Sequence, residues 1–588
     1  MPSFKLVSNT EATSSKMILY DISYQYPNRQ LIDFHMTFTP DKATTYLQLP
    51  AWRPGRYELG NFAKNILKLT VLDAEGTHIP TEKINKDRWK LNTLNVKEVH
   101  VHYQVYAAEM SGGSTWLEED QVYINFINCT LYPEDQMDDT FRVHLKLPDN
   151  YQIACGLPEV ETHTLEASSF YHLVESPLIA SASLTHWTYT VEGSTFHLWF
   201  QGEVHLDEET VTQDFKAFTE EQIRTMGDFP CEDYHFLFQF LPYRAYHGVE
   251  HFNSTIIILG PTEELQQKSK LYHDFIGVSS HELFHTWNII RIRPVEMMPY
   301  DYTQENYFIT GYVAEGVTTY YGDLYLARSG VISKQAYFDD LNKIFKRHFE
   351  NFGRFNHSLA ESSYDLWLDG YVPGVPNRKV SIYVKGAIVS LMLDLTLRHL
   401  TGNQSSLDDV MRKLWEDYAK KNKGYNPQDI INIATALAGE NMQLFFDKYV
   451  NGITPVEEAL NTLLRTVGCQ LNVSDSASRS ESFFGFQTAE REGKILVSKI
   501  EPGSPAERVL CRQDEVIAVD GTKISESLDE MISEGEEIEI TLVRRQKLTV
   551  VHLPQDEKRY FKQYTISQRA DAKERERENF SQWCGLEW

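Results

Sequence analysis

At 588 residues the chain is too long for one hydrophobic core, so three or more domains are expected. With 42% hydrophobic, 24% charged and 12% aromatic residues it is neither a disordered chain nor a collagen-like or coiled-coil one. Fifty-six Lys and Arg against 83 Asp and Glu leave a net charge of −27, which repels phosphate backbones and anionic lipid, so neither nucleic acid nor membrane is an expected partner.

The opening MPSFKLVSNTEATSSKM has no apolar stretch of the kind a secretory signal carries. No window of about 18 uninterrupted apolar residues follows it, as a membrane-spanning helix would need. The cysteines are widely spaced and form no CxxC pair, which fits reduced thiols and a cytoplasmic protein. From Met17 to about Thr185, ILYDISYQY, IDFHMTFT, TTYLQL, VHVHYQVYA and FRVHLKL alternate or run apolar, with Pro, Gly or Asp between them. Residues 1–185 are therefore expected to form a β-sandwich-like domain. A second domain, 186–470, begins with strands at STFHLWFQGEV, DYHFLFQFLP and STIIILG. Its period then turns helical in KLYHDFIGVSSHELFHTWNII, TGYVAEGVTTYYGDLYLARSG and YVKGAIVSLMLDLTLRHLTG. Short strands return at SFFGFQTA, KILVSKI, EVIAVDG and EIEITLVRR, which defines a small module over 478–556. The remaining 557–588 reads as a charged helical tail whose aromatic end docks on the rest. The fold class expected is α+β and multidomain.

The sharpest chemical signal is His281-Glu282-Leu283-Phe284-His285. On a helix, positions i and i+4 lie one above the other, so both imidazoles can hold one ion with Glu282 beside it. Read alone, the motif is also compatible with two helix histidines making structural hydrogen bonds. Zinc needs a third protein ligand. Glu315, on a second helix expected to start near Thr310, can complete a His₂Glu set and leave one position open for water. Otherwise Glu315 is a helix-surface carboxylate. Such an open site implies hydrolysis, with Glu282 as general base. A phenol on a neighbouring helix can stabilise the oxyanion. Tyr383 opens a helix just before Lys385-Gly386, where glycine permits close packing, although in isolation it reads as a core tyrosine.

Taken together, WRPGRY at Trp52–Tyr57, HGVEHFNST, HELFHTWNIIRIRP, ENYFITGYVAEGVTTYYGDL and VSIYVKGAIVSLMLDL resemble the glycyl aminopeptidase family of zinc metallopeptidases, which belongs to the gluzincins. The resemblance implies an N-terminal β domain, a thermolysin-like, mostly helical catalytic domain and a C-terminal PDZ domain. It implies one Zn²⁺ per chain on His281, His285 and Glu315, Glu282 as base, and Tyr383 as the oxyanion-stabilising tyrosine of a Y-x-K-G element. Gly248, Glu250 and His251 match a G-x-E-H element whose glutamate binds the substrate's free α-amine, just before the strand STIIIL that borders the cleft. His251 supports the amine site or is a structural histidine. Many relatives carry an acid seven positions after the ligand glutamate. Here that position is Gly322, and Asp323 beside it is expected to orient a ligand histidine, or else to be an exposed helix acid.

PDZ-like FFGF at Phe483–Phe486 implies a groove for a C-terminal peptide, with Gln513 where a glycine is usual. The expected activity is an aminopeptidase acting on peptides with a free N-terminus. The alternatives are a thermolysin-like endopeptidase and a catalytically silent, peptide-binding PDZ scaffold. A chain ending near Val473, if it folds, is expected to keep activity on small aminoacyl substrates.

Overall fold

The computed structural model describes residues 16–372, 374–525, 527–532 and 537–588. The N-terminal stretch read above for a signal lies almost wholly outside them. All five N-terminal segments read as strands are strands. Leu31–Phe38 and Val99–Tyr106 alternate buried with partly buried or exposed positions residue by residue, as a sheet with one wetter face requires. They lie side by side in a seven-stranded sheet that also holds Met17–Ser23 and Thr140–Leu145, these two in parallel. Its inner face packs Ile32, Phe34, Val101 and Tyr103 against Leu47 and Leu91 of a four-stranded sheet. A third sheet, of four strands, carries Tyr123, Ala154 and Ile179 against Leu237, Ile256 and Ile258 of the next unit.

That next unit starts with a five-stranded sheet in the order Thr185–Val191, Ser194–Gln201, Asp233–Phe240, Ser254–Gly260, Ala245–Glu250. The last of these is an edge strand, paired antiparallel with its inner neighbour so that Glu250 faces Thr255. The strand that borders the cleft is thus the one containing HGVE, and STIIIL is interior. Phe-rich strands bury one face against helices: Phe238 meets Phe275 with ring centroids 5.0 Å apart, and Phe215 meets Phe236 at 5.2 Å. Each such fully buried ring contributes about 1.5–3 kcal/mol. Helix Glu208–Met226, capped by Asp207, links two strands of this sheet. Its periodicity is too polar to announce a helix between the strands read from sequence.

Helices Lys270–Phe284, Thr318–Arg328, Lys334–Phe349 and Val384–Thr401 complete the catalytic half. The C-terminal module has its own core, of Phe484, Phe486, Val497, Ile540 and Leu542 among others. It is an insertion: Cys469–Ser474 before it pairs antiparallel with Gln563–Gln568 after it, from Cys469 opposite Gln568 to Ser474 opposite Gln563. The chain then returns to the catalytic half as helix Glu574–Cys584. Trp583 is fully buried there and its Nε1 donates to Tyr320 Oη at 2.8 Å. Among the described residues no helix is long and apolar enough to cross a membrane.

Candidate active site

Ser269 starts the HELFH helix by accepting the Tyr272 N–H at 3.0 Å, and Phe275, Ile276, Leu283 and Phe284 hold it in the core. That rotation turns Glu282 to Gly248 of the edge strand and His281 to Gly322 of the next helix. The regular helix stops at Phe284 and the chain folds back under it. As a result His285 Nδ1 lies 2.6 Å from the Asn288 carbonyl oxygen and donates to it. Its Nε2 is then the lone-pair nitrogen, turned into the site.

Glu315 lies in a π-helical stretch, Tyr312–Val317, which runs straight into helix Thr318–Arg328. Wider turns of this kind recur at functional sites because they re-aim one side chain. Gly316 explains the next contact: a Cβ there would lie 2.5 Å from Gly386 Cα. Two glycines let the helices touch backbone to backbone, and Tyr383, the cap of Val384–Thr401, lands beside Glu315.

His281 Nε2 and His285 Nε2 are 3.1 Å apart, and Glu315 Oε2 is 3.5 Å from the second and 4.0 Å from the first. Ligand atoms around a tetrahedral zinc with bonds of 2.0–2.1 Å are separated by about 3.4 Å. Donor types, spacing and burial therefore fit one divalent metal ion. The charges agree. Glu250, Glu282 and Glu315 are all buried, with Arg53 as the buried cation close to them. Burial, then Glu250 and Glu315, raises the Glu282 carboxyl well above the usual range. Burial also pushes Glu315 up to about 7, against the pull of His285, while Glu250 adds to the rise. His281 is held well below its usual value by burial and by His285. A bound cation would relieve both carboxyl shifts, and the lowered His281 value keeps its imidazole neutral and free to bind one.

The edge strand approaches this centre through Gly248. A Cβ there would fall on Glu282 Oε1, far inside contact distance, and lie 2.8 Å from Val278. Glu250 follows on the same strand face. One oxygen each of Glu250 and Glu282 and one nitrogen of His285 lie within 4.8 Å of one another. Glu250 Oε1 and Glu282 Oε2 are buried without a hydrogen-bond partner. Beyond Glu250 the cleft meets the WRPGRY loop of the N-terminal half. Gly55 packs so closely that a Cβ would sit 2.6 Å from Glu250 Oε2. Trp52 anchors that loop between Tyr300 and Trp367 at 5.5 and 5.2 Å.

His251 does not join Glu250. Successive strand residues face opposite ways, and its Nδ1 lies 3.8 Å from the buried Glu175 Oε2. Asp323 is not brought to a ligand histidine either. Gly322 is the residue against His281, where a Cβ would lie 3.2 Å from the histidine Cβ. One step further round the helix, Asp323 faces Asp340, His273 and Lys343, and burial and Asp340 push it up to about 7. Among the described residues it makes no hydrogen bond to His281 or His285. The orienting contact expected of it is made, for His285, by the Asn288 carbonyl. Nothing in a side-chain motif signals such a backbone acceptor. Tyr57 was also missed: its Oη donates to Glu315 Oε1 at 2.7 Å across 258 positions of sequence. WRPGRY stands out as a motif, but its spacing to the candidate metal-binding residues carries no periodicity to read.

Two imidazoles and a carboxylate on adjoining helices, with a second carboxylate beside them and an edge strand along the cleft, define a metallopeptidase. The peptidase M61 N-terminal domain model matches residues 19–182, the M61 glycyl aminopeptidase model 274–389, and the PDZ domain model 472–543. Matched in this order, the chain carries the N-terminal and glycyl aminopeptidase domains of the M61 family followed by a PDZ domain. An aminopeptidase N family protein from Idiomarina loihiensis has a similar structure, at 26% identity and a TM-score of 0.88, covering 97% of this chain and 100% of that one. A variant of the M1 zinc metallopeptidase from Deinococcus radiodurans bound to a Tyr-Ser-Ala substrate aligns at 14% identity and a TM-score of 0.46, over 75% of this chain and 94% of that one. No curated protein matches the chain.

Proposed function

We propose that this metallopeptidase is a zinc-dependent aminopeptidase of the gluzincin type, with one zinc on His281, His285 and Glu315. Zinc, when bound, supplies Lewis acidity and lowers the pKa of a water from about 15.7 towards 7. Glu282, with Oε2 free of any hydrogen bond, accepts a proton there and delivers it to the leaving amine. Tyr383 donates its phenolic proton to the developing oxyanion, a contact worth about 3 kcal/mol. Burial and the charge of Glu315 raise its pKa well above 10, which keeps that donor protonated at neutral pH. The edge strand Ala245–Glu250 offers the substrate backbone a partner.

The observation that carries the N-terminal specificity is Glu250. Its buried carboxylate has an unpartnered oxygen beside Glu282, with the WRPGRY loop closing the space beyond. A substrate ammonium satisfies such a group, and an internal peptide bond leaves it orphaned, which weighs against the endopeptidase alternative. The complete set of base, phenol and metal donors weighs against a silent scaffold. In the PDZ module, Phe486–Arg491 is an edge strand that among the described residues pairs only with Lys494–Ile500, and an extended C-terminal peptide would add there.

The test is Glu250→Ala, assayed on aminoacyl amides with a free and with an acetylated amine. A charge-assisted hydrogen bond of about 1.5–3 kcal/mol predicts a fall in kcat/KM of roughly 10–150-fold on the free amines. Acetylated substrates should lose much less. An equal loss on both would reduce Glu250 to a structural residue.

A further inference from the structure

The metal-binding carboxylate is held from the other half of the molecule. Glu315 Oε1 accepts the Tyr57 hydroxyl at 2.7 Å, and Oε2 is the oxygen turned to the two histidines, at 3.5 and 4.0 Å. Both residues are buried, so water does not compete for Oε1. The Tyr57 ring is itself fixed, by Phe308 at 5.4 Å and Trp367 at 6.2 Å. Its loop is tied to the catalytic half by the Ala51 N–H on the Tyr302 carbonyl at 2.8 Å. A carboxylate with one oxygen engaged by a fixed phenol is biased to offer a metal the other.

From this we infer that Tyr57 is a positioning residue that makes Glu315 a one-oxygen ligand of defined direction. The metal centre is then assembled by two domains, and the WRPGRY loop tunes it. The inference rests on the metal reading above, and its consequence is a metal affinity. Hydrogen-bond partners of ligands typically govern affinity by about 10–100-fold.

The experiment is zinc binding by the full-length protein, stripped of metal and titrated against a competing chelator. Three forms are compared: wild type, Tyr57→Phe and Trp367→Phe. Tyr57→Phe keeps the ring and removes only the hydroxyl, whereas Trp367→Phe disturbs the ring's packing and leaves the hydroxyl. A zinc Kd raised by about tenfold or more in Tyr57→Phe, with a clearly smaller rise in Trp367→Phe, is the expected result. An unchanged Kd in Tyr57→Phe, or an equal rise in both variants, overturns the inference. Wild-type protein that takes up no zinc would instead overturn the metal reading on which it stands.

Discussion

A methyl group at residue 248 would press on Glu282, the proposed base, and on Val278 of the same helix. The obstacle is mostly a side chain that can swing aside, so the fold should survive Gly248→Ala. The base, however, would be displaced, and a misplacement of about 1 Å can cost 10²-fold in rate. The expected outcome is a kcat lower by about that factor, with zinc content and thermal midpoint near wild type. A steady-state assay beside elemental analysis checks it. At this scale the sequence speaks where chemistry and helical spacing coincide. His281, Glu282 and His285 are legible because one helix turn sets their relation. Glu315 and Tyr383 are legible because a glycine follows each closely and the resemblance supplies their partners. Tyr57, Arg53 and the Asn288 carbonyl are illegible because each acts through a contact that only the folded chain creates. Asp323 was misassigned for a related reason: one residue along a helix is a rotation of about 100°, enough to exchange the ligand side for a polar cluster with Asp340 and His273.

Secondary elements were legible in proportion to their periodicity. Strands with a wet face and a dry face announced themselves, as Leu31–Phe38 does with its strict alternation. The edge strand Ala245–Glu250 did not, because its residues interleave glycine and polar groups that serve the cleft and not a core. The π-helical stretch around Glu315 could not be distinguished from an ordinary helix by composition. One departure from the family pattern did translate into geometry. Gln513, where relatives carry glycine, has φ +72°, in the left-handed region that costs a side-chain-bearing residue about 1–2 kcal/mol. Part of that is offset by the entropy glycine loses on folding. Gln513→Gly should therefore stabilise the PDZ module by about 0.5–1 kcal/mol. Hydrogen exchange of the Lys494–Ile500 amides would slow accordingly, and turnover of small substrates would stay unchanged.

For the whole molecule, the order of domains was readable but the insertion was not. Cys469–Ser474 and Gln563–Gln568 look like linker and charged tail until they are seen to pair. This alters the outcome expected for a chain ending near Val473. Such a chain loses the strand that completes the ribbon, and with it Phe580 and Trp583, both fully buried. Losing a buried large aromatic typically costs about 3–5 kcal/mol each, so the truncated chain should not fold. Excising 475–562 and joining Ser474 to Gln563 through a short linker should instead preserve zinc content and activity on small aminoacyl amides within a few-fold. Circular dichroism and the aminoacyl-amide assay, run on both forms, separate the two cases. The same feature governs how the protein is made. Trp583 donates to Tyr320, about one and a half turns after Glu315, so the catalytic half stays unfinished until residue 583 has left the ribosome. The inserted module lengthens that interval by the time needed to synthesise it, on the order of ten seconds at about 5–20 residues per second. For that interval a nascent chain holds all three proposed metal ligands on helices whose last buried aromatic has yet to arrive.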